Sequence, residues 1–230
     1  MCIVSAMMGL ALISGAANPG ALDLDNSDHV KLIEKPYPML DFEIKPDPFG
    51  DTALFFPQGN ALQAPPEDYQ HMRFVTFDEP DVDTFRISVE QLGEGGERSP
   101  QANPNVFGGN RSLAVIFGYE DLNNWWVVYY TYTNTTSVRR MKDGKQQYIC
   151  QPFITEQWMP NNEAYQSVDV TLSRDGDEMV VYALANGESI SLDGCRFPAS
   201  DYTPGKVGLG GHSTSDVQSW YFKNIVLETN

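Results

Sequence analysis

Positive charge is scarce in this chain of 230 residues. It has 15 Lys and Arg against 31 Asp and Glu, which gives a formal net charge of −16. A surface this acidic repels phosphate groups, so we expect no nucleic-acid partner and no affinity for anionic membranes. Four of the basic residues lie close together between positions 139 and 145. An anionic ligand would have to bind there.

Histidine is also rare, and the three histidines are His29, His71 and His212. They lie far apart, and neither a His-x-His nor a Cys-x-x-Cys spacing is present, so the sequence predicts no zinc site. A Glu-x-Asp-x-x-Glu run, which could supply the paired carboxylates for double-displacement hydrolysis, is absent as well. The sequence therefore lacks the two simplest signatures of a metal-dependent or carboxylate-based hydrolase.

Long hydrophobic runs are limited to one, Ile3–Ile13 at the amino terminus. It is too short to cross a bilayer, which takes about 20 apolar residues, and no membrane insertion is expected. Small residues follow at positions 14–16, so we predict that residues 1–17 are a signal peptide and that the protein is secreted, extracellular or periplasmic. No Lys or Arg precedes the run, and the alternative is an apolar first strand or helix of the folded domain.

Cysteine occurs three times, at Cys2, Cys150 and Cys195. Removal of the signal peptide would leave Cys150 and Cys195 as an even pair, which suits a disulfide in an oxidising compartment. Two unpaired buried thiols are the alternative, because the sequence does not show whether the two Cα atoms are close.

Proline is concentrated in residues 18–70, which hold seven prolines between Pro36 and Pro66. Proline removes a backbone donor, so this stretch is predicted to be an amino-terminal arm packed on the main body, with one or two short strands such as Met39–Ile44.

Residues 71–230 are predicted to form one antiparallel β-sandwich, because short alternating runs are separated by turn signals such as Asp143-Gly144 and Asn186-Gly187. The predicted strands are His71–Phe77, Thr84–Gln91, Ser112–Tyr119, Trp125–Thr133, Val138–Met141, Gln146–Ile149, Ser167–Ser173, Met179–Leu184, Lys206–Gly210 and Trp220–Leu227.

The order of motifs in the second half is distinctive. Phe-Gly-Tyr-Glu-Asp at 117–121 leads to Trp-Trp-Val-Val-Tyr-Tyr at 125–130, and the chain closes on Pro-Gly-Lys-Val-Gly-Leu-Gly at 204–210 and an aromatic strand at 220–227. This order resembles the concanavalin A-like lectin/glucanase superfamily, the jelly roll of laminin-G-like and 3-keto-disaccharide-hydrolase-type domains. The resemblance implies two curved sheets, carbohydrate handling on the concave face or at the loop ends, and often a structural Ca²⁺.

The aromatic run at 125–132 is the most unusual stretch of the chain. In a strand, Trp126 and Tyr130 share one face while Trp125 and Tyr129 share the other. We expect one face to enter the core and the other to present rings on which sugars stack; the alternative is that both faces are buried. The predicted substrate-binding residues are Arg111, Tyr119, Trp125, Trp126, Tyr132, Arg140 and Trp158.

Catalysis is a second hypothesis. If the ligand were a uronate polymer, Arg139 would neutralise the carboxylate, and Tyr130 and His212 would act as acid and base in β-elimination. The alternative is a solvated hairpin with scattered charges.

No cofactor is required, although five acidic residues offer oxygen ligands for a structural Ca²⁺. They are Asp47, Asp51, Asp78, Asp81 and Asp83.

The sequence is therefore compatible with three functions. The first is a secreted protein that binds a poly- or oligosaccharide on the concave face of the sandwich. The second is a glycan-cleaving enzyme, either a 3-keto-glycoside-type hydrolase or a polysaccharide lyase that uses Arg, Tyr and His. The third is a structural or adhesive surface protein.

Overall fold

A computed structural model describes residues 30–32, 42–56, 72–77, 81–94, 112–131, 135–154, 165–189, 194–212 and 219–229. These residues form 15 strands and one 3-10 turn, Ala199–Asp201. The strands are β1 Val30–Leu32, β2 Glu43–Pro46, β3 Thr52–Phe56, β4 Met72–Phe77, β5 Phe85–Glu94, β6 Ser112–Asp121, β7 Asn124–Thr131, β8 Thr135–Lys142, β9 Lys145–Ile154, β10 Gln166–Asp175, β11 Glu178–Ala185, β12 Glu188–Ser189, β13 Cys195–Pro198, β14 Lys206–His212 and β15 Ser219–Thr229.

The strands pair in two antiparallel sheets. The seven-stranded sheet has the order β1-β4-β14-β6-β7-β8-β9, and the eight-stranded sheet has the order β12-β11-β10-β5-β15-β3-β2, with β13 on β11. The predicted all-β antiparallel sandwich is confirmed, and the ten strands predicted between residues 71 and 227 correspond to β4–β11, β14 and β15. No helix in the described part of the chain is long and apolar enough to span a bilayer.

Part of the proline-rich stretch enters the sheets. Strand β2 overlaps the predicted Met39–Ile44 strand, and β3 pairs with β2 on one side and with β15 on the other. Strands β1, β3, β12 and β13 are not among the strands that the sequence predicts by range. The predicted signal peptide lies outside the described residues, and the domain boundary at residue 71 stays a prediction.

The core lies between the two sheets and follows from the alternation of side chains. Val168, Val170 and Leu172 of β10 are buried, and the residues between them are at the surface or only partly covered. From the opposite sheet, Trp126 of β7 stacks on Phe197 of β13 with ring centroids 4.3 Å apart. This aromatic contact joins the two sheets across the sandwich.

The disulfide expected from the cysteine count is present. Cys150 of β9 and Cys195 of β13 are bonded, with Cα atoms 5.9 Å apart and a sequence separation of 45. Because β9 is at the edge of the seven-stranded sheet and β13 lies on the eight-stranded sheet, the bond joins the sheets covalently beside the Trp126–Phe197 stack. The alternative of two free thiols is excluded.

Close packing explains why the Pro-Gly-Lys-Val-Gly-Leu run at 204–209 has glycine at two positions. A Cβ at Gly205 would lie 2.6 Å from the backbone carbon of Gly118, and a Cβ at Gly208 would lie 2.0 Å from the carbonyl oxygen of Val75. Both contacts are with backbone that a neighbouring strand fixes. Strand β14 can therefore pass between β4 and β6 only because these two positions carry no side chain.

The turn between β2 and β3 is organised by one carboxylate. Asp47 accepts backbone N–H groups of Phe49 at 2.8 Å and Asp51 at 2.9 Å, and the Tyr165 hydroxyl at 2.6 Å. Burial, the largest single effect, raises its pKa, but these hydrogen bonds and the charge of Lys223 together outweigh burial and lower the pKa to about 2. The ionised form of Asp47 is therefore favoured by folding.

Loss of the disulfide should destabilise the fold without changing its strand order. In the chain-entropy account, a bridge over 45 residues stabilises by about 4 kcal/mol by restricting the unfolded chain. We expect the double variant Cys150→Ala/Cys195→Ala to unfold at clearly lower urea concentration with a native far-UV spectrum in dilute buffer. An unchanged urea midpoint would contradict the stabilising role of this bond.

The Asp47 turn predicts an acid dependence of stability. Since the folded pKa lies below the unfolded value of 3.8, the contribution of Asp47 is complete above about pH 5 and is lost as the pH falls towards about 2. Asp47→Asn keeps an acceptor oxygen but removes the charge. We expect the melting temperature of the variant to lie below that of the wild type at neutral pH and the two to converge in acid. A difference independent of pH would contradict this account.

Candidate binding site

A second apolar cluster lies on the outer face of the seven-stranded sheet, opposite the core. Its buried members are Phe74, Ala114, Ile116, Trp125, Val127, Tyr129 and Met141, with Tyr119 packed against them. We call this set the outer aromatic cluster. It arises because β7 is apolar at every position from Trp125 to Tyr130, so that both of its faces are buried.

Small residues let the large ones meet on this face. The ring centroids of Phe74 on β4 and Trp125 on β7 are 5.4 Å apart, although β14 and β6 lie between the two strands. Beside Phe74, the row of paired residues runs through Gly210 and Ala114 to Tyr129, so the two positions next to Phe74 carry little or no side chain. Trp125 is further fixed by its indole N–H, which donates to the carbonyl oxygen of Leu122 at 3.1 Å.

Arg139 of β8 is held at the margin of the outer aromatic cluster. Its guanidinium carbon lies 4.6 Å from the ring centroid of Tyr129 and 4.6 Å from that of Tyr148. Its Nε donates to the hydroxyl oxygen of Ser137 at 2.9 Å. We call Tyr129, Arg139 and Tyr148 together the Tyr129–Arg139–Tyr148 stack. Cation–π contacts on two sides fix the orientation of a side chain that is otherwise flexible.

The stack changes from buried to exposed along its length. Tyr129 is 5% exposed, Arg139 is partly buried, and Tyr148 is 54% exposed. Single exposed apolar residues are common on protein surfaces, so the exposure of Tyr148 gains meaning only from the ordered guanidinium of Arg139 beside it. The stack therefore offers an open ring beside an oriented cation, and this is the candidate binding site.

The two tryptophans of the run are not open to solvent. Trp125 is 4% exposed in the outer aromatic cluster, and Trp126 is 3% exposed in the core. The alternative that both faces of the run are buried describes the structure, and the expectation of open Trp rings does not. The physical reason is that both faces of a central strand can be covered, so alternation alone does not predict exposure.

Two of the three residues proposed for catalysis, Tyr130 and Arg139, lie on opposite faces of one sheet. Tyr130 is 1% exposed and faces the core, where burial and then the charge of Asp169 raise its pKa well above the ordinary value. Arg139 is on the opposite face of the sheet. The backbone of His212 lies at the end of β14, where it pairs with Ser112 and Met72. A β-elimination centre that joins Tyr130 to Arg139 would have to reach through the sheet.

The two neighbouring arginines are separated in the same way. Arg140 lies against the core side, with its guanidinium carbon 4.9 Å from the ring of Trp126. It therefore does not act with Arg139 on one ligand group.

The ring of Tyr119 is partly buried, with its centroid 5.8 Å from that of Phe74. Burial, together with the charge of Asp121, raises the pKa of Tyr119. Arg111, Tyr132 and Trp158 lie outside the described residues.

The acidic residues considered for Ca²⁺ have protein partners. Asp47 and Asp51 contact Lys223, Asp83 pairs with Arg174 at 3.1 Å, and Asp81 pairs with Lys206 at 3.4 Å. Asp78 lies outside the described residues. Within the described part of the chain, no three acidic, His or Cys residues are grouped as metal ligands.

Neither Tyr148 nor Ser137 was predicted to be a site residue, although the hairpin turn in the sequence gives the position of Tyr148. Asp143 and Gly144 have φ of 51° and 71°, as in a two-residue type I′ turn, which pairs Lys142 with Lys145. Counting back from this turn places Arg139 opposite Tyr148, as the structure has it. The contact with Tyr129 could not be counted in this way, because it depends on the diagonal between two strands.

Comparison with known proteins identifies the fold. No protein-family model matches the chain, and no curated protein is similar to it in sequence. Solved structures do match. The carbohydrate recognition domain of Emp46p in its potassium-bound form has a TM-score of 0.54 at 9% identity, over 89% of this chain and 90% of that one. A legume lectin-like domain from Entamoeba histolytica has a TM-score of 0.51 at 12% identity, over 88% and 91%.

A functionally unknown protein from Saccharomyces cerevisiae also matches, with a TM-score of 0.50 at 10% identity, over 91% of this chain and 99% of that one. At such low identity these likenesses show the fold alone. They confirm the resemblance found in the sequence: the chain has the concanavalin A-like jelly-roll fold of legume-type lectins.

The different burial of the aromatics predicts different effects on stability. Trp126→Ala removes a core ring stacked on Phe197 and should cost about 3–5 kcal/mol of the free energy of unfolding. Tyr148→Ala removes a ring that is 54% exposed and should cost about 1 kcal/mol or less. Urea unfolding of both variants measures the difference. Equal losses would contradict the assignment of Trp126 to the core and Tyr148 to the surface.

Proposed function

We propose that this protein is a secreted carbohydrate-binding protein that holds a poly- or oligosaccharide on the outer face of the seven-stranded sheet, at the Tyr129–Arg139–Tyr148 stack. The concave binding face expected from the sequence stays a prediction. The observation that carries the proposal is the open ring of Tyr148, 54% exposed, beside a guanidinium held by two rings and a hydroxyl.

The chemistry of the stack suits a sugar. An aromatic face packs against the apolar C–H side of a pyranose ring, and nearby N–H donors bind its hydroxyl groups. Arg139 already uses its Nε on Ser137, which fixes the direction of the remaining N–H groups. A side chain ordered before binding loses less conformational entropy when the ligand arrives, so the arrangement favours affinity.

The structural neighbours support the same function. One of them is a carbohydrate recognition domain, and another is a legume lectin-like domain. The cleavage hypothesis gains less support, because Tyr130 and Arg139 lie on opposite faces of their sheet. A purely structural or adhesive role gives no reason for the fixed orientation of Arg139 beside an open ring.

Export and calcium belong to the proposal as well. The Cys150–Cys195 disulfide supports an extracellular or periplasmic location, since such bonds persist in oxidising compartments. A structural Ca²⁺ stays a prediction taken from the fold's relatives, and the function proposed here does not depend on it.

Tyr148→Ala should abolish most carbohydrate binding. Removing one stacking ring should weaken affinity about 10-fold or more, by the value of an aromatic contact and the relation of free energy to affinity. Affinity electrophoresis through gels that contain a panel of neutral and acidic polysaccharides measures the retardation of wild type and variant.

The matched control is Tyr182→Ala, because Tyr182 is a tyrosine on the other sheet with 44% exposure. This variant should be retarded like the wild type. Equal loss in both variants would point to a general surface effect and contradict the assigned site. Absence of retardation of the wild type across the panel would contradict the proposed function itself.

A further inference from the structure

The arginines of the two sheets differ in their partners. On the eight-stranded sheet, Arg86, Arg174 and Arg196 each make an ion pair, at 3.2 Å with Asp169, at 3.1 Å with Asp83 and at 2.9 Å with Asp175. These pairs are expected in a protein with 31 acidic residues, because a surface cation has many carboxylates within reach.

Arg139 does not follow this pattern. Among the described residues, no carboxylate lies within ion-pair distance of its guanidinium, and its contacts are instead two tyrosine rings and the hydroxyl of Ser137. Arg140 likewise contacts the ring of Trp126 and has no acidic partner in the described part of the chain. The β8–β9 hairpin, residues 135–154, carries four basic side chains and a single acidic one, Asp143.

An arginine held in this way is suited to an anion. The planar guanidinium presents paired N–H donors that match the two oxygens of a carboxylate or a sulfate. The rings on either side stabilise its charge and restrict its motion without using the N–H edge. Because no protein carboxylate occupies that edge among the described residues, an incoming anion does not have to displace one.

We propose that the ligand of this site is an anionic glycan, whose uronate carboxylate or sulfate ester is bound by the Arg139 guanidinium while a sugar ring stacks on Tyr148. This inference rests on the proposed carbohydrate-binding function and specifies its substrate class. The overall charge of −16 does not oppose it, since the hairpin that carries the site is locally basic. The same overall charge disfavours non-specific attraction of polyanions elsewhere on the surface.

The test compares polymers that differ only in charge. Polygalacturonate is paired with its carboxyl-reduced form, and dextran sulfate is paired with dextran. We expect retardation of the wild type by at least one of the two anionic polymers and at least 10-fold weaker binding to its charge-free counterpart. The pair that responds identifies the anion as carboxylate or sulfate.

Variants assign the effect to Arg139. Arg139→Gln should weaken binding of the anionic polymer about 10- to 100-fold, and Arg139→Lys should lose most of this as well, because lysine keeps the charge but not the planar fork. Arg86→Gln makes the same change in net charge on the other sheet and should bind like the wild type. Far-UV spectra and urea midpoints establish that each variant is folded.

The outcomes separate the two claims. If wild type and Arg139→Gln bind charged and charge-free polymers equally, this inference fails while the proposed function stands. If Arg86→Gln is weakened as much as Arg139→Gln, attraction is a matter of net charge and the inference also fails. If no polysaccharide of the wider panel is bound, both the inference and the proposed function fail.

Discussion

The contact between Trp126 and Phe197 fixes how the two sheets face each other. It stacks a ring of the seven-stranded sheet on a ring of β13, and the Cys150–Cys195 bond closes the same region covalently. With Trp126 held inward, the alternation of β7 leaves no freedom for its neighbours. Trp125, Val127 and Tyr129 must lie on the outer face, where they build the outer aromatic cluster.

The candidate site is a consequence of this constraint on the next two strands. Pairing of β8 with β7 puts Arg139 on the outer face and Arg140 on the inner one. The Asp143-Gly144 turn then sets Tyr148 opposite Arg139. The pairing of β7, β8 and β9 therefore leads from the buried Trp126 to an oriented guanidinium and an open ring at the surface. Among the described residues, the Arg139 guanidinium contacts aromatic rings and forms no ion pair with a carboxylate.

The sequence predicted the fold well and the site only in part. Alternation and turn residues predicted ten strands, and the even cysteine pair agreed with the disulfide, because these are local or compositional signals. Arg139 was selected for its chemistry, and the role of Tyr148 beside it could have been counted from the turn. Exposure was the weak point: Trp125 and Trp126 were expected to include an open ring, and both are buried.

By itself, the sequence determined the sandwich class, the tight hairpin turns and most of the strands, since alternation and φ preferences act over a few residues. Only the tertiary structure decided which aromatic rings are covered, which arginines find carboxylates, and that Tyr130 and Arg139 stand on opposite sides of one sheet. Those properties depend on strands that are distant in the chain, such as β4 and β13, and no local pattern specifies which of them will lie against β7.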